Sequence, residues 1–309
     1  MTLKPRPAPT AAPYIVKKLR AAEQAISDAV PRAVGNTDDE AIHDLRVSIR
    51  KLRTLLKMSR NLFGRWQADV VRRAFADVMR ATGDLRDEEV LEETLEGKSA
   101  SAAFTGWVAA RKPREKRLRN AVVARLESGE LDRARILLKA LLVFPVKPER
   151  DVELARFARR TVERARREVE TRRDVGVEDA EGLHDLRIAY KELRYSIELL
   201  ADALPIDARA MLEPATIFQK RLGEIHDVDV ALGVVQGARG LSGEARTEAL
   251  AGLGVLREKR IGKYLRELDP LAQPPEIKAL EPRDGPVSKE IAIEDAPTVH
   301  LSPRPENGA

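Results

Sequence analysis

A short basic segment that occurs twice constrains the fold of this 309-residue chain more than any other feature. The first copy, HDLRVSIRKLR, runs from His43 to Arg53, and the second, HDLRIAYKELR, runs from His184 to Arg194, 141 residues later. A second matching pair, RATGDLRDEE and KRLGEIHDVD, has nearly the same separation, 140 residues. Two anchors that agree at a spacing of about one small domain predict an internal duplication.

The composition between residues 14 and 269 is typical of packed helices. Ala, Leu, Arg and Glu dominate, aromatic residues make up only 4% of the chain, and just six of the eighteen prolines fall in this interval. The spacing of apolar residues predicts about four principal helices in each half, which is the number that closes a bundle around one core. We therefore expect an all-α protein made of two four-helix bundles.

The same pattern divides the chain into five segments. Proline-rich ends bury too little apolar surface to offset the entropy of ordering them, so both ends are expected to be flexible. The segments are a flexible N-terminal segment 1–13, a first bundle repeat 14–144, a linker 145–150, a second bundle repeat 151–269 and a Pro-rich C-terminal tail 270–309.

Glycines and capping residues predict where individual helices begin and end. Residues 37–40 have the form of a capping box that opens the helix with the first basic copy, and Gly64 ends that helix. Residues 99–143 are expected to form one long basic helix and a shorter apolar one, divided at Gly129. In the second half we expect a turn at Gly223 between two helices.

Charge and cysteine content exclude several classes of protein. The chain has no cysteine, which excludes disulfides and thiolate metal sites, and we expect no cofactor or resident metal. No apolar run approaches the roughly 20 residues that span a bilayer, and Met1–Pro13 lacks the apolar core of a signal peptide. We therefore expect a cytoplasmic protein that does not contact membranes. Because the net charge is only +5, an anion site must come from local arrangement of charge.

Each basic copy places its cations on one face of a helix. On a helix of about 100° per residue, spacings of three, seven and ten residues fall in one band, beside a second band of leucine and isoleucine. The first band consists of His43, Arg46, Arg50 and Arg53, and the second of His184, Arg187, Lys191 and Arg194. The cations within such a row repel one another unless a polyanion or the carboxylates of a neighbouring helix neutralise them. The planar guanidinium of arginine suits phosphate oxygens. Both alternatives, a phosphate-binding row and a solvated face with salt bridges, are open at this point.

The duplicated motifs resemble those of the CHAD domain, the conserved histidine α-helical domain. The H-D-x-R-x-x-x-[RK]-x-x-R helix and the G-x-[LI]-[RH]-D-x-[DE] segment that follows it carry this resemblance, which covers residues 14–268. It implies two four-helix bundles related by a pseudo-twofold axis, with a basic central groove that binds inorganic polyphosphate. We expect binding without cleavage, because no triphosphate-processing barrel fits in this chain. Association with polyphosphate granules, tethering of a partner and regulation of a polyphosphate enzyme are open as cellular roles. The eight residues of the two bands would line the groove. Further candidates are Arg80, Arg86, Lys220 and His226, and weaker ones are Lys17, Lys18, Arg159 and Arg160.

Two of the differences between the copies replace a basic residue of the first copy with a histidine or an acidic residue in the second. Arg86 in the first corresponds to His226 in the second, and Lys51 corresponds to Glu192. The two rows are therefore not expected to contribute equally to binding.

Two other functions compete with polyphosphate binding. Three His-Asp dipeptides in a helical protein suggest a metal-dependent phosphohydrolase of the HD class, although two of them belong to the repeat and their neighbours are arginines, which repel a metal ion. RNA is the second alternative. The chain lacks aromatic platforms on which bases could stack, but a purely electrostatic groove could still bind an RNA backbone weakly.

Overall fold

The computed structural model describes residues 8–35, 40–144, 146 and 150–271, and in this part of the chain every regular element is a helix. The all-α prediction is confirmed. The first half contains α1 (Ala11–Gly35), α2 (Ala41–Met58), α3 (Arg60–Phe63), α4 (Arg65–Ala81), α5 (Gly83–Leu95), α6 (Ala102–Ala109), α7 (Lys112–Glu127) and α8 (Glu130–Val143). The second half contains α9 (Leu154–Arg172), α10 (Ala180–Leu200), a short 3-10 helix (Ala201–Ala203), α11 (Ile206–Ala210), α12 (Leu212–Gln236) and α13 (Gly243–Leu271).

The helices pack in a similar order in the two halves. Helix α2 packs against α1 and α4, and α10 packs against α9 and α12. Helices of different halves also pack against each other, among them α1 with α9, α2 with α10, α5 with α12, and α6 with α13. The two basic copies lie on α2 and α10, so this packing brings them side by side.

One apolar cluster belongs to both halves. Leu95 of α5 and Phe104 of α6 are buried together with Val228 of α12 and Leu253 of α13. Because these side chains exclude water jointly, their burial holds α5 against α12. The predicted duplication and the five segment boundaries stay predictions.

The chain becomes helical earlier than the sequence suggested. Helix α1 begins at Ala11, with Pro13 in its first turn, where proline is tolerated because the amide hydrogens there have no partner within the helix. The amide of Ala11 donates to the carbonyl of Val152 (2.8 Å), and the amide of Leu154 donates to the carbonyl of Pro9 (2.9 Å). These bonds fasten the starts of α1 and α9 to each other.

The predicted turn at Gly223 is wrong, because α12 continues through this position without a break. A helical glycine costs roughly 1 kcal/mol relative to alanine. Leu222, Ile225 and Val228 are all buried at helical spacing on the two sides of Gly223, so packing outweighs that cost. In the first half the chain does break at the corresponding place, between α4 and α5.

Two other helix boundaries also differ from the predictions. Residues 99–143 form three helices rather than two, because the chain breaks again before α7, which has Pro113 in its first turn. Helix α2 ends at Met58, and the short α3 separates it from Gly64, whose φ of 97° is a left-handed conformation that favours glycine. Residues 37–39 of the predicted capping box and the linker residues Pro145 and Pro148 lie outside the described residues, as does most of the predicted tail.

Among the described helices, none is both long enough and apolar enough to cross a membrane.

Candidate functional site

Helix α2 places the first row of cations at the edge of the core. Leu45 and Ile49 are fully buried on one face, and the leucines of the next two turns continue that face. Arg46, Arg50 and Arg53 lie beside them and are partly buried. This arrangement buries the alkyl stems of the arginines and keeps the charged ends at the margin of the apolar face. The predicted row on α2 is therefore present.

Helix α10 repeats the arrangement. Leu186, Leu193 and Ile197 are buried, while Arg187 and Lys191 are partly buried next to them. The helix begins with a true cap, because the Asp179 carboxylate accepts a hydrogen bond from the Gly182 amide (2.8 Å), and this bond satisfies a free amide hydrogen of the first turn.

Cations from both helices lie close enough to affect each other electrostatically. The pKa of Lys191 is lowered to about 8, chiefly by burial and further by the charges of four arginines. These arginines are Arg50, Arg187, Arg53 and Arg46. We call Arg46, Arg50, Arg53, Arg187 and Lys191 the basic cluster. Nearby like charges disfavour one another, and a bound anion would relieve this repulsion.

The described residues provide no ion-pair partner for the basic cluster. Within the described part of the chain, none of its five members forms an ion pair, and Arg46 donates instead to the Thr82 hydroxyl (2.7 Å). The Nε atoms of Arg53 and Arg187 are buried and have no hydrogen-bond partner there. A buried, unsatisfied donor costs about 1–3 kcal/mol, and Arg60 and Arg246, which lie outside the basic cluster, also have a buried Nε without a partner. These five residues are therefore not engaged in direct salt bridges, although carboxylates such as Asp87 and Asp227 act on Arg187 from beyond salt-bridge distance.

Arg194, also predicted as a member of the row, has partners of its own. Its Nε donates to Gln219 (2.7 Å), its Nη1 pairs with Glu198 (3.2 Å), and its guanidinium lies 4.1 Å from the centre of the Tyr195 ring. These contacts engage the guanidinium within the protein. Arg194 therefore differs from Arg53, which occupies the corresponding position of the first copy.

The histidines occupy unlike environments. His43 is exposed at the start of α2. His184 is partly buried, and its Nδ1 lies 3.2 Å from the Nδ1 of His226 on α12. Burial first and Arg187 second lower the pKa of both rings, that of His226 to about 4, so both are neutral near pH 7 and one can donate to the other. The second half thus adds an imidazole pair to the end of its row.

Of the three remaining further candidates, Arg80 and Arg86 act on the basic cluster through their charge. Arg80 is exposed and pairs with Asp77, yet its charge contributes to the lowered pKa of Arg53. Arg86 pairs with Glu89 (3.4 Å) and contributes to the lowered pKa of Arg46. Lys220 is exposed on α12.

The weaker candidates on α1 and α9 are not brought into the basic cluster. Lys18 pairs with Asp202 (3.0 Å) in the 3-10 helix after α10. Lys17, Arg159 and Arg160 are exposed.

Sequence reasoning missed several residues next to the basic cluster. Asp87 and Asp227 lie close enough to Arg187 to oppose the lowering of its pKa, although burial dominates. Burial also raises the pKa of the Asp227 carboxyl, with Arg187 opposing that shift. These aspartates occupy matching places in the second repeated motif, which was a signal that could have identified them. Tyr195 hydrogen-bonds to Arg50 but corresponds to Thr54 in the first copy, so the repeat gave no indication of it.

Among the described residues, no group of three or more histidine, aspartate or glutamate side chains is arranged to hold a metal ion.

Comparison with known proteins identifies the family. A family model of the CHAD domain matches residues 17–236, and the chain therefore belongs to the CHAD domain family. The fold is similar to the crystal structure of the CHAD domain from the plant Ricinus communis, with a TM-score of 0.71 and 20% identity over 88% of this chain and 95% of that one. It is also similar to PptA from Streptomyces chartreusis, with a TM-score of 0.60 and 15% identity over 86% of this chain and 99% of that one. No curated protein matches the sequence.

Proposed function

We propose that this protein binds inorganic polyphosphate at the basic cluster, in a groove between the two halves, and does not cleave it. The observation that carries the proposal is a set of five cations from α2 and α10 without ion-pair partners among the described residues, two of which have buried, unbonded Nε atoms. Membership of the CHAD family supports it, since the resemblance of the repeated motifs to that family implies polyphosphate as the ligand.

The chemistry of the basic cluster favours a chain of phosphates over a single phosphate. Charge-assisted hydrogen bonds to arginine are worth about 1.5–3 kcal/mol each. Five cations spread over two helices offer more donors than one phosphate group can accept, whereas successive groups of a linear chain can engage them in turn. Binding that releases several counterions must weaken with salt, by about two to three orders of magnitude between 50 and 200 mM for five contacts.

The direct test is a titration with polyphosphate of defined lengths at several salt concentrations. We expect affinity to increase with chain length until the chain spans the basic cluster, and to fall steeply with salt. Binding that is independent of both chain length and salt would contradict the proposal.

Charge reversal at the basic cluster tests the location of the site. The double variant Arg50→Glu with Lys191→Glu places a negative charge on each helix of the cluster, so binding should be lost. A matched control, Lys116→Glu with Arg117→Glu, makes the same change in net charge at exposed positions of α7 and should bind like the wild type. The neutral variant Arg50→Gln with Lys191→Gln, checked for helicity by circular dichroism, separates loss of binding from loss of fold.

Competition separates polyphosphate from RNA. The chain has few aromatic residues on which bases could stack, so RNA of the same charge should displace bound polyphosphate only at much higher concentration. Equal displacement would favour a general polyanion site. An assay for released phosphate, with and without added divalent metal, tests the absence of hydrolysis.

The same proposal extends to location in the cell. A protein that binds long polyphosphate chains would accumulate where such chains are stored, in polyphosphate granules. A fluorescent fusion should colocalise with stained granules, and the Arg50→Glu, Lys191→Glu variant should not.

A further inference from the structure

Arg50 is the electrostatic centre of the basic cluster. Its charge contributes to the lowered pKa of each of the other four members, and for Lys191 it is the largest contribution after burial. Every other member of the cluster therefore lies near its guanidinium.

The guanidinium of Arg50 is held by one hydrogen bond. Its Nη1 donates to the hydroxyl oxygen of Tyr195 (3.3 Å), and no other described residue accepts from it. Tyr195 belongs to α10, so this bond joins Arg50 of the first row directly to the helix that carries the second row. An arginine side chain has several rotatable bonds, and a single fixed partner restricts the directions in which its head can point.

Tyr195 is itself firmly placed. Only 3% of its surface is exposed, and the guanidinium of Arg194 lies over its ring, 4.1 Å from the ring centre. A cation over an aromatic face contributes about 0.5–1 kcal/mol at exposed sites and more where water is excluded. The phenol therefore supplies a rigid hydroxyl between the central arginine of one row and the last arginine of the other.

We propose that Tyr195 is a positioning residue for polyphosphate binding, which fixes the Arg50 guanidinium in the direction from which it meets the phosphate chain. The inference rests on the proposed function and goes beyond it, because it assigns a role to an uncharged, buried side chain outside the basic cluster. It also assigns different roles to corresponding positions of the two copies, since Thr54 replaces the tyrosine in α2 and bonds the backbone carbonyl of Arg50 in its own helix (2.9 Å).

The test is Tyr195→Phe, which removes the hydroxyl and keeps the ring under Arg194. Because this substitution frees the Arg50 guanidinium without removing its charge, we expect polyphosphate affinity to fall about two- to tenfold, less than loss of the guanidinium itself would cause. Tyr14→Phe is the matched control, because the Tyr14 hydroxyl also joins two helices, through Leu199 (3.0 Å) and Asp202 (3.1 Å), but lies outside the basic cluster. That variant should bind polyphosphate like the wild type.

A double-mutant cycle distinguishes positioning from a general structural role. If Tyr195 acts through Arg50, then Tyr195→Phe should have no further effect on affinity in an Arg50→Ala background. An equal loss of affinity in both backgrounds would overturn the inference, and so would unchanged affinity of the single variant while the wild type binds. Failure of the wild type to bind polyphosphate would instead overturn the proposed function together with this inference.

Discussion

The two basic rows have the same spacing, yet their side chains are not equally available to a ligand. The contrast is clearest at the last position, where Arg53 has a buried, unbonded Nε and Arg194 is engaged by Gln219 and Glu198. The residue four places after Arg53 is Lys57, whereas the residue four places after Arg194 is Glu198. A shared motif therefore places the cations, and residues outside the motif decide which of them are free.

The departures between the copies have a structural explanation. Lys57 pairs with Glu192 (2.5 Å), and Lys51 pairs with Glu198 (2.8 Å), each across the contact between α2 and α10. Lys51 and Glu192 occupy corresponding positions of the two copies, and so do Lys57 and Glu198. Such reciprocal contacts are what a twofold relation between the halves produces, and they support the predicted duplication. If both members of each pair were lysines, they would repel one another at this contact.

The largest effect should come from truncating arginines of the two rows that differ in their availability to the ligand. Arg50→Ala removes a charge-assisted donor from the ligand and should weaken polyphosphate binding about tenfold or more. Arg194→Ala should weaken binding much less, because that guanidinium already bonds within the protein, and should instead lower the stability measured by denaturant unfolding. Equal losses of affinity in the two variants would show that the rows contribute alike.

A somewhat smaller effect is expected from the titration of Lys191. Its pKa in the free protein is about 8, below the ordinary value of 10.5, and a bound anion raises it again. Affinity should therefore be complete below pH 8 and decline as the pH rises above it, by about tenfold at pH 9, where roughly one Lys191 in ten stays protonated without ligand. Lys191→Arg keeps its charge over this range and should bind with little pH dependence. An equal decline in that variant would assign the titration to another group.

The smallest effect concerns the engaged arginine. Glu198→Gln removes the carboxylate that pairs with Arg194 and Lys51, so it should release cations to the ligand and raise affinity roughly two- to fivefold, the range expected for a partly exposed ion pair. Glu168→Gln is the control, because it removes the same charge beside Arg172 on α9. A similar gain in both variants would show that net charge alone is responsible.

The sequence predicted the parts of the site that depend on periodicity within one helix. The apolar face of α2 and the positions of Arg46, Arg50 and Arg53 beside it follow from a repeat of 3.6 residues per turn, and the structure has both. The chain also breaks between α4 and α5 before Gly83, and a glycine between two apolar patterns is a local signal of this kind.

The parts that were missed depend on contacts between distant segments. The hydrogen bond between Arg50 and Tyr195 joins residues 145 positions apart, and no local pattern encodes it. The engagement of Arg194 needs Gln219 from another helix. At Gly223 the local signal for a turn was real, but burial of the neighbouring residues against other helices determined the outcome.

The most direct test of the central claim is a crystal structure with a polyphosphate of defined length. We expect phosphate oxygens within hydrogen-bond distance of the guanidinium groups of Arg53 and Arg187, with Arg50 still bonded to the Tyr195 hydroxyl. A chain bound along the exposed Arg159 and neighbouring cations of α9, with both guanidinium groups free of phosphate, would contradict the proposed site.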